Sequence, residues 1–538
     1  MAKKEKPKAY RPVEESLRRS KEAWALKDFW KPIMEECYEL ALAGISPYQG
    51  DKNKPRTAPR QYDSTAPNAV IRLANRILNE MTPPFDDWAD VVPGPILERD
   101  LSKSQLEELK KQLESVSAMT NMIVNQREQV GARYAAILDM LISCMGCMLD
   151  LEDPTDDISP VNTQCVSQAE VAILEDGRQR VSDICRKRTI KLSKIKGLWP
   201  DAVIPDEITQ GSKKDKDPDI EVIEITYAVE GGKKQGSNLP AWAYEVLYTK
   251  GGKNAEIMVQ RGYNENPWTI LRWMTLPGCP YGPSPVMLAL ADIRVANKIV
   301  EMILQNAALA IAGMYTVRDD GVVNPDNIQI TTAGMIPVGS NGGGAGPSIM
   351  PLETGRGFEI GQIAMQDYQT RIKKWLFDNG LPDATGAVRS PTEIIERVRE
   401  ITQDLGAGVV RVSGDLVEHV RRVINILIRR GFIPFDINID QFTFKVQINS
   451  PLARTPNLQK VQTVVQWLEI AKQSGGDQAL IVVAKMPEIL TWIADQMGVP
   501  ADLVNTETER EKAMQSMAEV QAAPALAAQA EAAVPASA

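Results

Sequence analysis

From Gly282 to Tyr315 the chain reads GPSPVMLALADIRVANKIVEMILQNAALAIAGMY, and its apolar residues recur at three- and four-residue steps. Val286, Leu290, Ile293, Val300 and Leu304 mark one buried helical face. A second set, Met287, Leu288, Val295, Ile299, Met302 and Ile303, covers much of the remaining circumference. Only Arg294, Lys298, Glu301 and Gln305 form a polar seam. Pro285 suits the first helical turn, where its missing N–H costs nothing. At 1.5 Å per residue the helix reaches roughly 40 Å, and a helix apolar on most sides is buried on most sides. A second helix is predicted from Glu359 to Asn379, with Ile360, Ala364, Tyr368, Ile372, Trp375 and Leu376 on one face and Gly380 as its stop. Between the two lies an insertion of turns and short strands that includes the Gly-rich run Gly339–Gly346. The resulting hairpin has more apolar surface than two helices can cover for each other, so further surfaces must pack on it.

Before the hairpin the pattern is first helical and then alternating. Val13–Ala43 reads as one or two amphipathic helices, Gly44–Pro67 as basic and turn-rich, and Asn68–Met81 as a helix stopped by Pro83-Pro84. Phe85 and Trp88 follow as apolar anchors. Leu101–Leu149 reads as one long helical region, charged at first and then apolar. From Asp150 to Pro277 the period becomes two, which predicts about six strands, among them Val171–Leu174 and Arg180–Ile184 as a hairpin, Ile220–Val229, Trp242–Tyr248 and Ala255–Val259. A polar loop, Gly211–Asp219, interrupts them, and Gly251-Gly252 supplies a turn. After the hairpin, Leu381–Arg389 is a short loop, and Ser390-Pro391-Thr392-Glu393 has capping-box spacing. A helix to Leu405, a kink at Gly406 and Gly408, a second helix Val409–Arg430 closed by Gly431, an alternating stretch Phe432–Asn449 and a helix Leu458–Met497 complete the prediction. The Ala-rich tail from Thr506 is predicted to be disordered.

Composition narrows the chemistry. The chain has 538 residues, enough for several domains, and its longest uncharged apolar run, Met302–Val317 apart from Gln305 and Asn306, is too short to span a bilayer. Its basic N-terminus is followed by no apolar run of the kind a secretory signal carries. With His419 as the single histidine, multi-His zinc sites and facial triads cannot be assembled within one chain, and His419, beside Arg421 and Arg422, reads as a surface helix residue. Cys144 and Cys147 have CxxC spacing, a candidate for thiol or metal chemistry, but no second CxxC exists and the pair sits at the end of an apolar helix, where cysteine serves as a small hydrophobe. Gly339–Gly346 lacks the Gly-Lys-Ser/Thr ending of a P-loop. Glu152, Asp153, Asp156 and Asp157 lack EF-hand spacing and read as a solvated turn. Arg371, Lys373 and Lys374 can meet phosphate, or simply favour a helix C-terminus. No constellation supports catalysis, and no metal or cofactor is implied. The net charge of −9 argues against a tight grip on nucleic acid.

The order of these elements resembles the portal proteins of tailed phages, in particular the head-to-tail connectors of short-tailed phages. The residues that carry the likeness are Cys279-Pro-Tyr281-Gly282-Pro-Ser284, Thr385-Gly386 through Glu393-Ile394, the Phe85…Trp88 segment after an apolar helix, and the Ala/Gln-rich end. An extra residue between Gly386 and Arg389, and Pro391, depart from the family's pattern. The resemblance implies an α+β portal fold, a non-enzymatic ring, usually a dodecamer, at one capsid vertex. Residues 1–283 would form N-terminal helices and a β-rich wing, 284–312 and 359–379 the two stem helices, 313–358 the clip, 380–390 the tunnel loop, and 391–505 wing and crown helices with a short β segment, with a tail over 506–538. It further implies passage of double-stranded DNA past Asp383, Thr385, Arg389, Arg371, Lys373 and Lys374. Val286, Leu290, Ile293, Val300, Leu304, Ile360, Ile372 and Trp375 would pack the stem between copies of the oligomer. The implied partners are other copies of the chain, the terminase large subunit, major capsid and scaffolding proteins and a tail adaptor, in a virion assembled in the host cytoplasm. The alternatives are a tail or adaptor ring, which would be shorter and lack the clip between stem helices, and an enzyme using Cys144 and Cys147.

Overall fold

A computed structural model of the chain describes residues 10–42, 46–48, 61–153, 156, 158–205, 208, 217–230, 240–250, 254–312, 314–317, 349–352, 358–378, 391–433, 442–449, 460–474, 476, 484–497 and 510. Helix and sheet are mixed, and the chain divides into two compact units. One comprises residues 1–31, 74–284 and 384–538, the other residues 32–73 and 285–383.

The larger unit is built on antiparallel sheets. Strands β1 (Ala89–Pro93), β2 (Met145–Glu152), β3 (Val161–Val166), β4 (Val171–Glu175), β5 (Val181–Lys191), β6 (Asp219–Ala228), β7 (Trp242–Lys250), β8 (Asn254–Tyr263) and β9 (Trp268–Arg272) precede the helical hairpin. Strands β4 to β8 form a five-stranded meander in chain order, and β2 lies between β3 and β9 in a second sheet. Both faces of the meander are covered. On one, Ile223, Ile225 and Tyr227 of β6 pack with Leu17 and Ala23 of α1 (Val13–Asp28). On the other, Val222, Val246 and Met258 pack with Ile195 and Trp199 at α7 (Leu192–Leu198). A sheet buried on both sides accounts for the dense apolar runs in its strands. Buried carboxylates within it are partnered: Glu245 accepts from Ser16 Oγ, Tyr227 Oη and Gln260 Nε2 at 2.9, 3.0 and 3.0 Å.

The predicted helix Leu101–Leu149 is in fact two helices and a strand. After the short α4 (Pro95–Asp100), helix α5 (Lys103–Val124) opens on a Ser102/Gln105 capping box, α6 (Arg127–Ile142) follows, and β2 begins at Met145. Cys144 ends the helical run with a φ of 91°, a conformation L-residues avoid. The uninterrupted apolar run Met145–Leu149 suits a strand covered on both faces as well as it suits a helix, so periodicity could not separate the two. Phe85 and Trp88 also part company. Trp88 is fully buried, and its Nε1 donates to Asn125 Oδ1 at 2.9 Å. Phe85 is 98% exposed and is no anchor among the described residues.

In the Cys-Pro-Tyr-Gly-Pro-Ser turn, Tyr281, Gly282 and Ser284 each have a local cause. Tyr281 Oη accepts from the Ile173 N–H at 3.0 Å, and Ser284 Oγ donates to the Ile142 carbonyl at 2.9 Å. A Cβ on Gly282 would lie 2.1 Å from the Met274 carbonyl oxygen. The turn thus stitches the end of β9 to α6 and β4.

The helix after the hairpin, α10 (Pro391–Arg429), runs unbroken for 39 residues, so the predicted kink at Gly406 and Gly408 is absent. Gly408 is there for close approach, since a Cβ would meet the Trp273 ring at 2.6 Å. Ser390 of the proposed capping box lies outside the described residues. Residues 460–474 are helical, and α11 (Met486–Met497) follows after Ala484 and Lys485, so the predicted helix Leu458–Met497 is interrupted. Between α10 and these, β12 (Phe444–Ile448) pairs antiparallel with β1.

The smaller unit contains most of α2 (Lys31–Ala41), the start of α3 (Thr65–Met81), and the hairpin α8 (Pro285–Ala312) and α9 (Phe358–Trp375). Between these two helices, strands β10 (Met314–Val317) and β11 (Ile349–Leu352) pair antiparallel. The Gly-rich run 339–346 lies outside the described residues, as do the polar loop at 211–216, the turn at 251–252, most of the predicted clip and all but Arg510 of the tail.

Candidate assembly surface

The hairpin closes on itself along a narrow seam. A Cβ on Gly361 of α9 would sit in ordinary contact, 3.4 Å, with the Ile303 side chain of α8. The polar seam of α8 is engaged as its spacing predicts. Arg294 makes a two-pronged ion pair with Glu36, which raises the guanidinium further, and Lys298 pairs with Glu301 at 2.8 Å. Asn297 Oδ1 accepts from the Tyr62 N–H at 2.6 Å, and Gln369 Nε2 of α9 donates to Asp63 Oδ1 at 3.0 Å. Both helices are thereby tied to the segment before α3.

The apolar sets separate by burial. Val286, Leu290, Ile293 and Ile372 are buried in the chain's own packing, and Val300 is half-buried. Leu304, Ile360 and Trp375 are exposed, and so are Leu288, Val295 and Met302. These last three stand at seven-residue steps, which keep to one side of a helix. On α9 the matching residues are Ile360, 74% exposed, and Ile363, 68% exposed. The hairpin thus leaves several large apolar side chains on both helices exposed to solvent within the isolated subunit, more than the scattered single residues that need no explanation.

Of the cations predicted to meet DNA, Arg371 is held by Asp367 at 2.7 Å and stacks over the Tyr368 ring, while Lys373 and Lys374 are exposed in the last turn of α9. Asp383, Thr385 and Arg389 lie outside the described residues.

The candidate enzyme pair gains no support. Cys147 sits inside β2, not at a helix end, and burial drives its thiol far up, away from the reactive thiolate. All six cysteines are free. Among the described residues no group of His, Cys, Asp and Glu is placed to hold a metal ion. Asp156 accepts from the Ile158 and Ser159 N–H groups at 2.8 and 3.1 Å, as a turn residue does, and Asp157 lies outside the described residues.

His419 is the residue that sequence reasoning misplaced. It is fully buried, not on the surface, and its Nδ1 lies 3.0 Å from Oδ2 of Asp150, itself fully buried in β2. Thr163 Oγ1 donates to Asp150 Oδ1 at 2.6 Å, and Arg422 Nε donates to the Asp150 carbonyl at 3.0 Å. Burial alone would raise the Asp150 carboxyl; the His419 charge, the His419 and Thr163 hydrogen bonds and Arg422 together hold it below its ordinary value. One turn on, Asn425 donates to Glu265 at 2.6 Å and Arg429 pairs with Glu265 at 3.0 Å. A row of polar side chains on α10 therefore fastens that helix to β2 and to the turn before β9. The signal was present, because His419 stands three residues after Leu416 and four before Val423, on the buried face. The adjacent arginines masked it.

A family model described as bacteriophage head to tail connecting protein matches residues 14–504. The chain belongs to that family. It is a virion component with the portal, or connector, role between head and tail. No curated protein matches this connector. Among solved structures, a chain from "Virion of native gene transfer agent (GTA) particle" is similar over 82% of the connector and 90% of its own length, at 11% identity and a TM-score of 0.39. At that level it adds nothing to the family assignment. No described helix of the connector is long and apolar enough to cross a membrane.

Proposed function

We propose that copies of this connector stand head-to-tail about an axis and close a ring, usually of twelve in such proteins, whose α8–α9 hairpins line a channel for double-stranded DNA. The observation that carries the reading is the apolar face of the hairpin, with Leu288, Val295 and Met302 exposed at seven-residue steps on a chain of the head-tail connector family. Different patches on identical subunits meet without self-complementarity, and such contacts make a ring when the rotation closes. In this scheme 1–283 is the N-terminal and wing region, 284–312 and 359–379 are the stem, 313–358 is the clip, 380–390 is the tunnel loop, and 391–505 is wing and crown. The clip receives the terminase large subunit and later the tail adaptor, and the outer rim meets capsid and scaffolding proteins. The role needs no catalytic group. Duplex DNA carries one charge per about 1.7 Å, and a wall of net negative charge with sparse cations lets it slide. Lys373, Lys374 and Arg371, together with Arg389, Asp383 and Thr385 of the tunnel loop, are the residues assigned to that wall.

Negative-stain microscopy of the purified chain and of Met302→Glu tests this. The wild type should form rings with a central hole, and the variant should remain as folded subunits with unchanged circular dichroism. A wild type that stays monomeric under assembly conditions, or a variant that forms rings in normal yield, would overturn the reading.

A further inference from the structure

We propose a second contact between neighbouring copies, resting on the ring reading above, in which an acid-rimmed apolar corner of one subunit receives a base-rimmed apolar ledge of the next. The corner gathers at the junction of α5 and α6. Asn125 Nδ2 donates to the Asp86 carbonyl at 3.1 Å, and Gln126 Nε2 donates to the Ile158 carbonyl at 3.0 Å. Phe85 and Ile158 therefore flank the same two residues, with Met122 one turn back on α5. All three side chains are exposed, Ile158 by 81%. Asp86, Asp87 and Asp156 stand exposed around them, and Arg127 and Glu128 at the start of α6 offset each other. Three bulky apolar groups left in water beside three carboxylates form a patch of the kind that marks a protein contact.

The ledge is α7 and the turn after it. Ile195 and Trp199 are buried and fix it to the meander, the Ala202 N–H donates to the Trp199 carbonyl at 3.1 Å, and the Val203 N–H donates to the Met258 carbonyl at 2.9 Å. On this rigid support Leu198 and Val203 point outward, Val203 being 70% exposed, beside the exposed Lys194 and Lys196. The acidic groups near the ledge are outnumbered. Asp201 pairs with Arg261, and Asp217 accepts from the Ser193 N–H and hydroxyl at 2.9 and 3.0 Å. Asp217 feels Lys191 and Lys194, and these two with Lys196 outnumber it and set the local sign. Corner and ledge are thus both apolar at the centre and opposite in rim charge. They lie on one chain as two different patches, which is what a head-to-tail contact between copies requires.

Charge reversal in the full-length chain tests the pairing. Asp86→Lys with Asp87→Lys, and separately Lys194→Glu with Lys196→Glu, should each lower ring yield by native mass spectrometry about tenfold or more, with unchanged circular dichroism of the subunits. The variant carrying all four substitutions should recover ring formation. Wild-type ring yield from either pair alone overturns the proposal, as does a folded four-fold variant that fails to recover. If the paired variants form normal rings but fail to build heads, the corner belongs to another virion protein and the proposal is equally overturned. A wild type that forms no ring at all would instead remove the ring reading itself.

Discussion

Replacing His419 by alanine leaves the Asp150 carboxylate fully buried without the ring that faces it at 3.0 Å. Removing one member of a buried pair costs about 3–5 kcal/mol, because the other charge is stranded. Asp150 keeps hydrogen bonds from Thr163 at 2.6 Å and Thr269 at 3.4 Å, with Arg422 close by, so the lower end, about 3 kcal/mol, applies. The pH dependence has a definite sign. In the wild type the carboxyl is held below its ordinary value, so its stabilising contribution is present above the unfolded-state value and is lost as pH falls through the folded one. In His419→Ala the largest opposing causes are gone and the carboxyl moves upward, so less stability is lost on acidification and the gap to wild type narrows as pH falls below the unfolded carboxyl value. Urea unfolding of the subunit, followed by tryptophan fluorescence at pH 7 and pH 3, measures both effects. A loss under about 1 kcal/mol at pH 7, or a gap that does not change with pH, would refute the account of α10 fastened through the buried His419–Asp150 contact. Asp150→Leu with His419→Leu is the control. Removing both charges together should cost less than His419→Ala alone.

Burial raises the Asp415 carboxyl to about 6 against the opposing charges of Arg411 and Arg272. A raised carboxyl makes the folded state the stronger proton binder, so its cost grows as pH rises from the unfolded value through about 6. Asp415→Asn should therefore stabilise the subunit at pH 7.5 by on the order of 2–3 kcal/mol, and the gain should vanish near pH 4 in the same urea assay. Gly408→Ala would push a methyl group into the Trp273 ring, which a Cβ meets at 2.6 Å. It should cost about 1–3 kcal/mol despite alanine's better helix propensity, whereas Gly406→Ala, with open space at that position, should be neutral or slightly stabilising.

Read in one dimension, the chain already declared its helical hairpin, because α8 and α9 carry apolar residues at helical steps that are independent of what covers them. The strands of the meander were legible as short apolar runs set between turn residues such as Asp176-Gly177, although burial on both faces blurs their alternation. The excess apolar surface of the hairpin was also a property of sequence alone, and Leu288, Val295 and Met302 are indeed left exposed. Tertiary structure decided the rest. Whether Met145–Leu149 continued a helix or began a strand depended on its having β3 and β9 as neighbours on either side, since an unbroken apolar run fits both. Whether Gly408 bent its helix or admitted a ring depended on Trp273, more than a hundred residues away. The place of His419 depended on Asp150, 269 positions earlier. A charge is buried only where a partner waits, and which distant partner waits is a fact of three dimensions.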